Sequence, residues 1–324
     1  MEQEYLKLYS EVKATPVDWL WYPYIPYGKI TLLQGDPGEG KSTMMMNIIA
    51  SLSTAGFMPD GSKISLPGRV IYQCSEDDAS DTIKPRLEAS GADCGQIAFI
   101  DETLTSFALD DEILRQAIQS FKANLLVIDP VQAYLGDETN LANAKQTRKV
   151  MQRLGFWAAA YNCAVVLIGH LNKKEGGKEL YRALGSIDLV ATARSVLQVN
   201  RAEDSQTVRY VRQIKNSLAP SGPDFGFEIN RETGFRWLGC LNDTGTFEWQ
   251  ESDPPTNHER IADILASLLS KGPVRSTEVE AYFIDKGIAL RSANAAKRDL
   301  GVKSFRKNGV WYWSLGEKEE GENA

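Results

Sequence analysis

A run of small and charged residues near position 40 has the composition and spacing of a phosphate-binding loop. It follows a short apolar segment, precedes a segment of helical character, and consists of Gly35, Asp36, Pro37, Gly38, Glu39, Gly40, Lys41, Ser42 and Thr43. The glycines let successive backbone N–H groups turn toward phosphate oxygens, and the start of a helix adds partial positive charge. Lys41 would contact the β- and γ-phosphates. The pattern predicts a site for a nucleoside triphosphate, which we take to be ATP.

Asp129 ends a second apolar segment, 125–129, that is typical of a buried strand. A carboxylate in this position can hold the water shell of Mg²⁺ beside a phosphate loop, and the hydroxyl that follows the loop lysine can ligate the ion. We therefore predict that Ser42 and Asp129 form a magnesium site. An aspartate that only caps the next segment would give the same pattern.

Two further polar residues follow predicted strands and would lie at the same edge of a parallel sheet. Glu76 comes just after the strand 70–74 and could orient an attacking water, with Asp77 as the alternative. The less favoured alternative is an acidic cap for the next helix. His170 follows the strand 165–169 and could sense the γ-phosphate, although a solitary histidine is more often a satisfied polar residue.

Short apolar runs alternate with helical segments through the first two thirds of the chain. Strands are predicted at 29–34, 69–74, 96–100, 124–129 and 164–169, and helices at 42–55, 81–89, 110–123 and 142–162. Three later strands, 194–199, 207–215 and 225–230, are expected to be antiparallel additions at one edge. This alternation predicts an α/β fold with a mostly parallel sheet flanked by helices.

Composition excludes several classes of protein. The 324 residues carry 36 Lys+Arg and 43 Asp+Glu, a formal charge of −7, and 43% are hydrophobic, which argues against wholesale disorder. No apolar run could span a bilayer, and four scattered cysteines with two histidines make a zinc site improbable. We expect a soluble cytoplasmic protein with reduced thiols and no membrane partner.

The chain is expected to contain two domains. The predicted segments are a polar N-terminus (1–18), the α/β domain (19–250), a linker (251–257), a small domain (258–316) and an acidic disordered tail (317–324). In the small domain, three short helical patterns precede two β-prone arms joined by Asn308-Gly309, which predicts a winged-helix-like fold.

The small domain also contains a local positive charge. Between positions 286 and 307 it has seven basic residues and one acidic residue, Asp299. If the last helix reads a duplex groove, the predicted contacts are Arg291, Lys297 and Arg298, with Arg306 and Lys307 on the hairpin. The same charge would suit the solvated face of a protein-interaction module.

Together, these motifs resemble the RecA-like hexameric ATPases, within the superfamily of AAA_25 domains and DnaB-type helicases, and most closely the plasmid RepA replicative helicases. The matching text covers 25–229 and includes the phosphate loop, Ser75-Glu76-Asp77, Ile128-Asp129-Pro130, 169–173, 182–187 and 193–197. The resemblance implies a RecA-like core whose ATP site lies between neighbouring subunits of a hexameric ring. It also implies that Glu76 positions the water and that His170 reads the γ-phosphate.

A ring ATPase needs a cation from the neighbouring subunit, because negative charge builds on the γ-phosphate in the transition state. The DnaB-type helicases use a Lys-x-Arg pair on a late strand, and here only the lysine, Lys215, matches. Arg212 and Arg194 are the next candidates, and Arg194 is included among the nucleotide-binding residues. A solvated cation on a strand is an equal alternative.

The glycine-containing segment 172–185 carries mobile cations at Lys173, Lys174, Lys178 and Arg182. In the resembled helicases the equivalent loop lines the central channel and tracks single-stranded DNA, a task that needs phosphate contacts without base reading. An ordinary exposed loop would have a similar composition.

Two functions from different classes follow. The first is a ring-forming, DNA-dependent ATPase, expected to be a helicase for plasmid or mobile-element replication. The second is a regulator that binds duplex DNA and is gated by ATP, without motor activity; it is favoured by the missing arginine after Lys215. A small-molecule kinase ranks last, because Glu76 suits activation of water.

Overall fold

The computed structural model describes residues 6, 8–135, 144–170, 187–242, 245–248, 264–266, 268–270, 272–285, 290–307 and 309–315. The chain divides into two compact units, 1–250 and 251–324. The predicted linker 251–257, the predicted tail 317–324 and the loop cations Lys173, Lys174, Lys178 and Arg182 lie outside the described residues.

The first unit is built on a ten-stranded sheet with the order β12-β11-β10-β9-β8-β3-β7-β6-β4-β5. The strands are β3 (Ile30–Gly35), β4 (Val70–Cys74), β5 (Ile97–Ala98), β6 (Leu125–Asp129), β7 (Ala164–His170), β8 (Ser195–Arg201), β9 (Val208–Asn216), β10 (Phe225–Asn230), β11 (Gly234–Leu241) and β12 (Phe247–Glu248). A separate pair, β1 (Trp19–Trp21) and β2 (Ile25–Pro26), precedes them.

The six strands from β8 to β5 are mutually parallel, and β9 to β12 extend the sheet in antiparallel fashion. The α/β class and the mostly parallel sheet predicted from the sequence are confirmed. One expectation was wrong: the strand that begins at Ser195 is not an antiparallel addition, because it pairs in parallel with β3. The predicted strand 96–100 shortens to Ile97–Ala98.

Helices cover both faces of this sheet. They are α1 (Lys41–Ser53), α2 (Lys84–Ala89), α3 (Glu112–Phe121), α4 (Ala144–Tyr161) and α5 (Ile187–Thr192). Alternate strand residues point to opposite faces, so Leu33 packs with α1 and α2 whereas Leu32 packs with α3, α4 and α5. This double coverage explains why the central strands are continuous apolar runs. No helix in the described part of the chain is long and apolar enough to cross a membrane.

The second unit contains residues 264–266 and 268–269 as helical turns, then β13 (Val274–Arg275), α6 (Ser276–Asp285), α7 (Leu290–Asp299), β14 (Lys303–Lys307) and β15 (Val310–Ser314). The strands form a sheet of order β13-β15-β14. The predicted hairpin is present as the antiparallel pair β14–β15. Leu265, Phe283, Ala296 and Trp313 are buried together and form the core of this unit.

Candidate nucleotide site

The phosphate loop lies between the end of β3 at Gly35 and the start of α1 at Lys41. Gly38 and Gly40 have φ angles of +80° and +86°, in the left-handed region that favours glycine. Gly40 is the residue that caps α1 and has no side chain to satisfy the first N–H groups of this helix. Those donors are therefore directed at the loop, where an anion would bind.

Lys41 is 4% exposed and is fixed by its own loop. Its Nζ donates to the carbonyl oxygens of Gly35 at 2.9 Å and Asp36 at 2.8 Å. Burial lowers the pKa of Lys41, and the carboxylates of Asp129, Asp36, Glu39 and Glu76 act in the opposite direction. The ammonium group is thus held at the loop and surrounded by negative charge.

Asp129, which is 6% exposed, meets the loop through a single carboxylate oxygen. Oδ2 accepts a hydrogen bond from Ser42 Oγ at 2.6 Å and another from the Tyr72 hydroxyl at 3.0 Å. Burial and the neighbouring charge of Asp129 raise the pKa of Tyr72, so its hydroxyl stays a donor. The structure therefore brings Ser42 and Asp129 together, as the sequence predicts.

These oxygen donors fit a hard cation such as Mg²⁺, which takes few protein ligands and completes its shell with phosphates and water. In the described ranges, no group of three or more His, Cys, Asp or Glu side chains could hold a metal by itself. Ser42 and Asp129 are the residues that would hold the ion.

The three acidic residues after β4 have separate contacts. Asp78 accepts hydrogen bonds from the backbone of Ser80 and caps the turn that leads to α2, and Asp77 forms an ion pair with Arg86 at 2.8 Å. The charge of Glu76 acts on Lys41. The helix-cap role thus belongs to Asp78, and Glu76 is the one of the three whose charge acts on the loop lysine.

Strand register places the ends of three strands beside the loop. Gly35 pairs with His170, and Cys74 pairs with Asp129. The backbone of His170 therefore lies next to the first residue of the phosphate loop, although its side chain is outside the described structure. β7 separates β3 from β6, so the loop and Asp129 stand on two non-adjacent strands.

The strands β8, β9 and β10 form a wall beside the loop that was not predicted from the sequence. A Cβ added at Gly40 would lie 2.4 Å from Ile229 Cδ1 of β10 and 3.5 Å from Arg209 Cδ of β9. Glu39 of the loop is paired with Arg201 of β8 at 3.1 Å. These partners are far from the loop in sequence, and Arg209 lies on the same buried face of β9 as Val211, where an arginine is not expected from an apolar pattern.

The candidate cations for a neighbouring subunit are not near the loop of their own chain. Lys215 Nζ donates to the carbonyl oxygens of Val190, Ala191 and Ala193 at 2.7 to 3.0 Å, which caps the end of α5. Its contacts therefore give the catalytic role predicted for it no support.

Arg194 and Arg212 are also engaged elsewhere. The backbone N–H of Arg194 donates to the carbonyl oxygen of Ile30, at the opposite end of β3 from Gly35, so Arg194 lies away from the loop of its own chain and its role at a nucleotide site stays a prediction. Arg212 forms a bidentate pair with Asp224.

In the second unit, Lys297 makes contacts within its own domain, and its predicted contact with DNA stays a prediction. Lys297 Nζ donates to Ser304 Oγ at 2.6 Å and lies 4.0 Å from the ring centre of Trp313. Arg298, Lys303, Arg306 and Lys307 are exposed. Arg291 lies on α7, and its side chain is outside the described structure.

The chain is similar to several known proteins. The model of the AAA_25 family, described as an AAA domain, matches residues 8–176. DNA repair protein RadA of Streptococcus pneumoniae is 27% identical over 204 residues, which cover 62% of this chain and 42% of RadA. RadA of Bacillus subtilis is 27% identical over 207 residues, covering 63% and 40%. The chain thus spans about two fifths of the length of these relatives.

Among solved structures, a KaiC-like protein from Pyrococcus horikoshii aligns with a TM-score of 0.49 at 20% identity, over 66% of this chain and 91% of that one. The family model covers more than half of the chain and includes the phosphate loop, Glu76 and Asp129. The chain belongs to the AAA_25 family of P-loop ATPase domains.

Proposed function

We propose that this protein hydrolyses ATP to ADP and phosphate and couples the reaction to DNA as a ring-forming oligomer. The observation that carries the proposal is the 2.6 Å contact between Ser42 Oγ and Asp129 Oδ2 at the mouth of the phosphate loop. It unites the two oxygen donors that a magnesium–ATP complex requires, on the loop whose helix N-terminus faces the phosphates.

Each residue of the loop edge then has a chemical task. The N–H groups at the start of α1 and the ammonium of Lys41 bind the phosphates. Ser42 and Asp129 would hold Mg²⁺, which would neutralise charge on the phosphate oxygens. Glu76, which lies close enough to influence Lys41, accepts the proton of the attacking water and orients it. A cation from a neighbouring copy stabilises the transition state.

The more specific proposal is a replicative helicase of a plasmid or mobile element, acting as a hexameric ring around single-stranded DNA. It is supported by the sequence resemblance to RepA helicases and by the name of the matched RadA relatives, which are DNA repair proteins. Lys173, Lys174, Lys178 and Arg182 would contact the strand in the channel.

The second candidate is an ATP-gated regulator without motor activity, in which a winged-helix-like C-terminal domain reads duplex DNA. The contacts of Lys215 favour it, because a lysine that caps α5 is less available to a neighbouring active site. In this case hydrolysis would not respond to single-stranded DNA.

ATPase assays with and without single-stranded DNA, run beside mass measurements with and without nucleotide, test the proposal. We expect stimulation by DNA, a nucleotide-dependent increase in mass, and complete loss of hydrolysis in Lys41→Ala. Glu76→Gln should lower kcat by about 100-fold or more. Asp77→Asn is the matched control and should retain activity, since Asp77 is paired with Arg86.

A monomer that leaves ATP intact under every condition contradicts the whole proposal. Hydrolysis that ignores single-stranded DNA, together with a footprint on one duplex site, supports the regulator. Equal losses in Glu76→Gln and Asp77→Asn would refute the assignment of Glu76.

A further inference from the structure

The sheet of the second unit has one face on the core and one face turned outward. Val274, Trp313 and Ser304 are paired across β13, β15 and β14, and Trp313 is buried in the core. Neighbouring residues along each strand point to the opposite face. The next cross-strand row, Arg275, Tyr312 and Phe305, therefore lies on the outer face.

This outer row holds two stacked aromatic rings with a cation at one end. The rings of Phe305 and Tyr312 have centroids 5.8 Å apart and an interplanar angle of 18°. A hydrogen bond with the Tyr312 hydroxyl raises the pKa of the Arg275 guanidinium, so the cation lies beside the hydroxyl end of the second ring. Phe305 is 36% exposed. The rings therefore offer an apolar surface to a partner.

The strands that carry the rings have charged side chains of one sign only. Lys303 and Lys307 lie two residues before and after Phe305, on the same face of β14, and both are exposed. The strands β13, β14 and β15 contain no Asp or Glu. The charge of Glu278, on α6, reaches Arg275 at the edge of the face. The centre of the face is thus an aromatic pair between two lysines.

We propose that this outer face binds single-stranded nucleic acid. Unpaired bases can stack on Phe305 and Tyr312, while Lys303, Lys307 and Arg275 neutralise the phosphates. The bases of a duplex are hidden in its interior and cannot stack on a flat sheet, so the rings favour a single strand. The face belongs to the second unit and the phosphate loop to the first, and the inference does not depend on ATP hydrolysis. Of the residues that the duplex hypothesis uses, the face includes only Lys307.

Photocrosslinking tests the location directly. The full chain is mixed with an oligothymidine that carries one 5-iodouracil, irradiated, digested and mapped by mass spectrometry. We expect the adducts on the peptides that contain Phe305 and Tyr312. Adducts confined to the first unit, or no adducts at all, overturn the proposal.

Fluorescence anisotropy with the same oligonucleotide, in the absence of ATP, tests the chemistry. Phe305→Ala and Tyr312→Ala should each weaken binding by about tenfold, the usual effect of losing one stacked base. Phe305→Tyr and Tyr312→Phe retain the rings and should bind within about twofold of the wild type. Preserved affinity in both alanine variants would contradict the proposal.

Arg298→Ala is the matched control for charge, because Arg298 is exposed on α7 and not on the sheet. Lys307→Ala should weaken binding more than Arg298→Ala and should reduce the salt dependence, with a loss of about 0.7 in the logarithmic slope. Equal effects of the two variants, or tighter binding of a duplex of the same length, would refute the proposal that the outer face binds single-stranded nucleic acid. Circular dichroism verifies that each variant is folded.

Discussion

The phosphate loop with Asp129 (the loop edge) and the outer face of the C-terminal sheet differ in how far their functional side chains are buried and hydrogen-bonded. At the loop, Lys41 and Asp129 are 4% and 6% exposed and are already hydrogen-bonded to their neighbours. On the outer face, Phe305 is 36% exposed, and the flanking lysines are exposed. The first region is preorganised for a small anion, whereas the second offers an open surface to an extended chain.

This difference has an energetic consequence. In the buried site each polar group has few partners. Removing one group therefore leaves a buried partner without its hydrogen bond, and the cost in free energy is large. On an exposed face each contact competes with water and contributes a modest, separable part of the affinity. The following predictions test this contrast, beginning with the largest expected effect.

Asp129→Asn should lower kcat for ATP hydrolysis by about 100-fold, the upper range for a residue that orients a bound metal. Asparagine retains an oxygen that can accept from Ser42 and Tyr72, so the variant should fold, but it lacks the negative charge that attracts Mg²⁺. Steady-state kinetics over a range of Mg²⁺ concentrations provide the measurement.

The same variant tests the independence of the two regions. Its affinity for single-stranded DNA in the absence of nucleotide should equal that of the wild type. A fall in that affinity would mean that the loop edge and the outer face are not separable.

Gly40→Ala should destabilise the protein by about 2 kcal/mol and weaken ATP binding. A left-handed φ costs a non-glycine residue about 1–2 kcal/mol, and the new methyl group forces the Ile229 side chain to turn away. Gly38→Ala is the matched control, since its φ is also positive but no atom lies within 4 Å of the added Cβ. Thermal unfolding and nucleotide titration of both variants separate strain from contact.

A double variant sharpens this test. Ile229→Ala removes the obstructing side chain. The double variant Gly40→Ala/Ile229→Ala should therefore lose less unfolding free energy than the two single variants lose in sum. Strict additivity would show that the β10 wall does not contact the loop.

Lys215→Met should lower the free energy of unfolding by about 1–2 kcal/mol, because three carbonyl oxygens at the end of α5 lose a charged donor. For a unit of this size that is a decrease in Tm of roughly 2–8 °C. Lys84→Met, which removes only an exposed pair with Glu88, should change Tm little. An unchanged Tm with abolished hydrolysis would restore Lys215 as the cation for a neighbouring site.

The parts of the fold that were predictable are those encoded in contiguous sequence. The phosphate loop, the strand ending in Asp129 and the hairpin β14–β15 each carry their signal within about ten residues. The wall formed by Arg201, Arg209 and Ile229 was not predictable, because Glu39 and Arg201 are 162 positions apart and only the strand order brings them together.

The roles of cations were the least predictable feature. Lys215 and Lys297 look alike in the sequence. In the folded chain Lys215 donates to carbonyl oxygens at the end of a helix, whereas Lys297 lies over the ring of Trp313. Such acceptors exist only in the folded chain. Conversely, Tyr72 was missed because a tyrosine in an apolar strand looks like core, and its hydroxyl partner becomes visible only from the pairing of β4 with β6.

Tyr72→Phe should lower stability at pH 7 by about 1 kcal/mol, through loss of the hydrogen bond to Asp129. The pKa of Tyr72 is raised in the folded state above its ordinary value of 10.0, so the folded protein retains this proton longer than the unfolded chain does. The stability that Tyr72 contributes is therefore fully present below pH 10 and is lost above it, by about 1.4 kcal/mol per pH unit. The stability deficit of the variant should shrink above pH 10 and vanish near pH 11.

Burial also raises the pKa of Tyr27 to about 12, but the stability lost when Tyr27 ionises is the same in the wild type and the variant and cancels in the difference. Urea unfolding at pH 7, 9, 10 and 11 measures the effect. A deficit that stays constant up to pH 11 would show that Tyr72 is not the buried donor to Asp129.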